Sequence, residues 1–125
     1  MSAEDFPVLN LEASAAEEPP VIAATRLILT EALRLEASEI NARLQDSPPA
    51  LSLQFIVNGQ SLPRAAPPAA MYQALRNLLC QRASITHYET GPVTGELRTM
   101  SPESVWTLES DDLRRGFRLQ RGAGH

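Results

Sequence analysis

The sequence contains no lysine, and all eleven of its basic residues are arginine. A G-x-x-x-x-G-K-[ST] phosphate loop is therefore excluded, whatever the fold. The all-arginine usage reads as coding bias, since a surface rarely demands one basic residue type only. Cys80 is the single cysteine, so no internal disulfide can form, in agreement with a reducing compartment. Aromatic residues make up 5% of the chain, too few to advertise an apolar ligand pocket. The longest apolar stretch, Val21 to Leu35, is broken by Thr25, Arg26, Thr30, Glu31 and Arg34, which rules out a membrane-spanning run of about 20 residues. Glu4 and Asp5 stand where a secretory signal would be positive, so the expected location is the cytoplasm. A net charge of -4 lacks the basic excess that nucleic acid requires.

What is present suits one globular domain. The chain has 125 residues, 43% of them hydrophobic and 21% charged, which is enough for one modest core. Residues 1–20 are acidic and lack any basic residue; they read as a flexible arm, although Phe6, Val8, Leu9 and Leu11 could dock onto a partner or back onto the domain. Residues 21–121 form the domain and 122–125 a tail. Pro20 suits the first turn of a helix running to about Ala37, with Ile28, Leu29, Ala32 and Leu33 on one face. Alternation then predicts strands at Ile40–Gln45 and Leu51–Val57, followed by an Asn58-Gly59 hairpin turn and a short return strand over Gln60–Leu62 that Pro63 ends. Met71, Leu75, Leu78 and Leu79 define a second helix from about Pro68 to Arg82. Beyond it lie β-prone pieces at Ser84–Tyr88, Val93–Met100, Ser104–Leu108 and Phe117–Leu119, read as an antiparallel meander with no internal sequence repeat. The expected fold class is α+β: a small antiparallel sheet with two amphipathic helices on one face, PAS-like in outline.

Three stretches carry a family likeness. Leu35-Glu36-Ala37-Ser38-Glu39-Ile40-Asn41 follows a helix in the manner of a GASDIH motif. Leu51-Ser52-Leu53-Gln54-Phe55-Ile56-Val57-Asn58-Gly59 matches a strand near RVRFRVDG, and Pro92-Val93-Thr94-Gly95-Glu96-Leu97 matches a PQDGRI turn. From Val21 to Gln120 the chain thus resembles the N-terminal subdomain that precedes the motor domain in secretion ATPases of the type II secretion and type IV pilus family. The resemblance implies a docking or regulatory module whose partner is a secretion or pilus motor ATPase, or another part of such a machine. Ser52, Gln54 and Ile56 replace that family's arginines, Asn41 its histidine, Asn58 the hairpin aspartate, and Thr94 and Glu96 the Asp and Arg of the turn. Neutral side chains cannot meet nucleotide phosphates as those arginines would, which removes the basis for a nucleotide role.

Catalytic constellations are scarce. Cys80 and His87 could in principle pair as nucleophile and base, but Cys80 lies beside Leu78 and Leu79 as a small apolar filler. Cys80, His87 and His125 are too few for a metal centre, and the Asp111-Asp112 and Glu17-Glu18 carboxylates read as solubilising or capping groups. The expectation is a non-enzyme without cofactor or metal. Arg114, Arg115, Phe117, Arg118 and Arg121 are the candidate partner-binding residues, the bland alternative being a charged edge strand that resists aggregation. The exposed face of the Leu51–Val57 strand is the second candidate surface. Trp106 and Tyr88 are expected as core or interface anchors. A homo-oligomer is compatible with this reading. The rival readings are a PAS-like small-ligand sensor, which needs an internal apolar pocket, and an unrelated small enzyme.

Overall fold

The computed structural model describes residues 8–11, 19–85, 91–100 and 103–122, and among them it has two α-helices and seven strands. Strand β1 is Val8–Asn10, and helix α1 spans Pro20–Arg34. Strands β2 (Glu39–Asp46), β3 (Pro49–Val57) and β4 (Gln60–Arg64) come next. A 3₁₀ turn at Ala69–Met71 leads into helix α2, Tyr72–Arg82. Strands β5 (Val93–Met100), β6 (Ser104–Ser110) and β7 (Gly116–Arg121) complete the order. The fold is α+β, as expected.

The helices end by one shared device. Glu36 and Ser84 adopt left-handed φ values of 58° and 59° just beyond α1 and α2. In α1 the Glu36 amide donates to Leu33 and the Ala37 amide to Ala32, at 3.1 and 2.8 Å. In α2 the Ser84 amide donates to Gln81 and the Ile85 amide to Cys80, at 3.2 and 2.8 Å. Each is a Schellman closure made without the usual glycine. It stops α1 at Arg34, short of Ala37, and Glu36 stands where the GASDIH motif has its glycine.

Each helix introduces a three-stranded antiparallel meander, β2-β3-β4 after α1 and β5-β6-β7 after α2. The Asn58-Gly59 turn has φ values of 53° and 78°, the hairpin geometry that this dipeptide favours. Ser47 and Pro48, joined by a cis bond, close the β2–β3 turn. Strand β4 continues through Pro63 because it lies at the sheet edge, where a missing amide is tolerated. The meanders join side by side through β2 and β7, giving the strand order β1-β5-β6-β7-β2-β3-β4. Gly116 permits the join: a Cβ there would lie 2.3 Å from the Ala42 carbonyl oxygen.

Strand β1 alters the reading of the acidic arm. Val8–Asn10 pairs with Arg98–Met100 of β5 in parallel, the one parallel pairing among the described residues. Leu9 and Leu11 are buried in the core, at 3% and 4% exposure. Residues 8–11 therefore belong to the domain and not to a free arm, because two leucines two residues apart present one apolar face to the core.

Alternate residues of the strands bury one face of the sheet: Ile40 and Ala42, Leu53 and Phe55, Leu97, Trp106 and Leu108, Phe117 and Leu119. The helices supply Leu29 and Ala32 from α1 and Tyr72, Leu75, Leu79 and Cys80 from α2. Compared with the expected faces, Ile28, Leu33, Met71 and Leu78 are only half-buried, while Thr25 and Tyr72 go inside. Each newcomer satisfies its hydroxyl: Thr25 Oγ1 donates to the Val21 carbonyl at 2.7 Å, and Tyr72 Oη to the Leu113 carbonyl at 2.6 Å. Trp106, fully buried, donates its indole N–H to Ser104 Oγ at 2.9 Å. Ser84 and Ile85 close α2 instead of starting a strand; His87 and Tyr88 lie outside the described residues.

Candidate partner-docking surface

The strand positions between the buried ones are predominantly polar, and among the described residues no helix covers them. Register aligns them into a row. Gln54 of β3 faces Asn41 of β2, Asn41 faces Arg118 of β7, Arg118 faces Glu109 of β6, and Glu109 faces Thr94 of β5. Ser61 of β4 extends the row by donating to Gln54 Oε1 at 2.9 Å. Within it, Arg118 and Glu109 form an ion pair at 3.1 Å. The row floors a cleft of about 1070 Å³ on the uncovered face.

The loop between β6 and β7 walls that cleft. Leu113 is buried at 2% exposure and its carbonyl accepts the Tyr72 hydroxyl, so the loop is pinned from inside. Ser110 Oγ donates to the Gly116 carbonyl at 2.5 Å and accepts the Asp112 amide at 3.1 Å. The Asp112 carboxylate takes the Arg114 guanidinium through two hydrogen bonds, at 3.1 and 3.2 Å, and its own Oδ1 accepts the Arg114 amide at 3.0 Å. These bonds hold the Asp112 carboxyl below the usual carboxylate range and raise Arg114 above its ordinary value. Arg115 is left largely exposed at the rim, 3.8 Å from Asp112. Arg43 enters from β2 beside Ser52 and Gly116, with no ion-pair partner among the described residues.

The five candidate residues do not form one patch. Arg115 and Arg118 line the cleft. Arg114 is committed to Asp112. Phe117 points the other way into the core, stacked on Tyr72 with ring centroids 6.1 Å apart. Arg121 shares the alternation of Phe117 and Leu119 and sits exposed at the end of β7. The edge-strand alternative also fails, because β7 lies between β6 and β2 in the middle of the sheet. The two candidate stretches do meet: Ser52 and Gln54 of β3 line the same cleft as Arg115 and Arg118, with β2 between them. Asn41 and Arg43 are legible in the sequence as the polar half of the β2 alternation, whereas Thr94 is marked only as part of a β-prone piece and Glu109 lies just beyond the expected Ser104–Leu108 strand, and none of these signals says which strands lie side by side.

The covered side is packed far more tightly among the described residues. Between the helices and the sheet, the cavity lined by Thr25, Leu29, Ile40, Leu75 and Phe117 holds about 10 Å³, about one water's worth, and a small-molecule sensor needs several hundred. Cys80 is fully buried, and desolvation pushes its thiol up to about 11, so it remains a neutral thiol near pH 7. Among the described residues no three His, Cys, Asp or Glu side chains gather to hold a metal ion, and no helix is long and apolar enough to cross a membrane. A comparison with protein-family models and with curated proteins finds no match. The fold and surface define a small α+β domain with one sealed and one open sheet face.

Proposed function

We propose that the chain is a non-catalytic docking or regulatory module that takes a protein partner on its uncovered sheet face. The observation behind this is the cleft of about 1070 Å³, floored by a continuous polar row and flanked by Arg43 and Arg115. Arginine forks on a rigid floor suit carboxylates of an acidic protein segment, because each guanidinium presents paired donors at fixed spacing. The GASDIH-like, RVRFRVDG-like and PQDGRI-like stretches suggest the partner: a secretion or pilus motor ATPase, met in the cytoplasm.

The test uses point substitutions, since deleting residues 114–125 would remove β7 from the middle of the sheet. The intact chain and the charge reversals Arg43→Glu and Arg115→Glu serve as baits in native cytosol, with mass spectrometry as the readout. Recovery of a secretion or pilus ATPase by the intact chain, reduced at least about tenfold by either reversal, is the expected result. Equal recovery by all baits removes the cleft from the interface. Absence of any such ATPase overturns the choice of partner.

A further inference from the structure

The wall of the cleft is held from the far side of the sheet. Tyr72 opens α2 on the helix-covered face, yet its hydroxyl donates at 2.6 Å to the carbonyl of Leu113, 41 residues further along the chain. The bonds among Ser110, Asp112, Arg114 and Gly116 shape the loop between β6 and β7 but lie within it. The Leu44 amide ties the end of the loop to β2, donating to the Arg115 carbonyl at 2.7 Å, and Tyr72 ties its middle. Leu113 is buried while Asp111, Arg114 and Arg115 are exposed, so the loop turns one side chain inward and its charges outward. Burial raises the Tyr72 phenol far above its ordinary pKa, which keeps the hydroxyl a donor. Without it the Leu113 carbonyl would be buried and unpaired, a cost that the loop relieves by shifting toward water.

We propose that the Tyr72 hydroxyl is a positioning group for the docking cleft: it fixes the loop between β6 and β7 from behind and so sets where Arg115 meets an acidic partner segment. Tyr72 itself does not line the cleft, whereas Arg115 does. The affinity of the open face is thus governed in part by a bond on the sealed one. The proposal rests on the docking reading of the open face, and it adds to that reading a residue that acts through the loop without touching the partner.

The experiment compares the full chain with Tyr72→Phe, which keeps the ring stacked on Phe117 and removes only the hydroxyl. Amide exchange, read by NMR, follows Asp112, Arg114, Arg115 and Gly116, with the β2–β3 pairing as internal reference. The loop amides are expected to exchange at least about tenfold faster in the variant while the reference changes little. No change at the loop, or a uniform rise throughout the sheet, overturns the proposal. A fluorescein-labelled octaglutamate peptide, read by anisotropy, then reports the cleft. Tyr72→Phe and Arg115→Ala are each expected to weaken its binding at least about threefold, and Tyr72→Phe to add little in the Arg115→Ala background, because both act through one guanidinium. Two fully additive losses overturn the route through Arg115. Failure of the native chain to bind octaglutamate overturns the acidic-partner reading of the cleft instead, and the exchange result still decides for or against Tyr72 as the group that positions the loop.

Discussion

The two faces of one sheet, built from alternate residues of the same strands, could hardly differ more. On the covered face Trp106, Phe55, Leu97 and Leu108 are at or near zero exposure, and the cavity between the helices and the sheet holds about 10 Å³. On the other, Arg118, Glu109, Asn41 and Gln54 border a cleft about a hundred times larger. Stability is concentrated on the first, because apolar burial is the dominant favourable term in folding. The second face is free to vary, since exposed ion pairs such as Arg118–Glu109 add little to stability.

The contrast breaks most sharply at Trp106. Trp106→Ala leaves a large void and is expected to cost about 3–5 kcal/mol, much of a small domain's total stability. Arg118→Ala, one strand away on the open side, is expected to change stability by less than about 0.5 kcal/mol. Urea unfolding of both variants measures the difference, and comparable losses would mean that the open face is structural.

A pH titration sharpens the same contrast. Burial raises the Cys80 pKa from 9.0 to about 11, so the folded state holds the proton more tightly than the unfolded state. That contribution is fully present below about pH 9 and is lost as pH rises through about 11, on the order of 2 kcal/mol in all. Thermal melts of the native chain and of Cys80→Ala should diverge over this window and run parallel below it.

Two substitutions at the helix ends should bring a gain. Glu36→Gly and Ser84→Gly each relieve a left-handed residue and should stabilise by about 1 kcal/mol, read as a rise in melting temperature. Neither substitution touches the cleft, so partner binding should be unchanged.

Much of this architecture is legible in local pattern. The alternation in β2, β3, β5 and β6, the Asn58-Gly59 turn and the Pro-led start of α1 are short-range signals, and each element forms where its residues imply. The departures concern long-range pairing. That β7 joins β2, or that Val8–Asn10 reaches β5, cannot be read from residues separated by some eighty positions. The same limit explains the arginine cluster: Arg114, Arg115, Arg118 and Arg121 are neighbours in sequence, but an ion pair at Asp112 and the two-residue strand period send them to different places. Phe117 illustrates the point, since one step of alternation separates a docking residue from a core residue.

The central position of β7 also bears on how the protein is made. A ribosome delivers β2, β3 and β4, then β5 and β6, and only afterwards residues 116–121 that join them. Until that strand emerges, the nascent chain carries two half-sheets whose inner edges lack their native partner, a state open to aggregation. Sheet closure is thus a late event in synthesis, and the pairing of Glu39 with Gln120 makes it a long-range one, so the domain should fold slowly for its size.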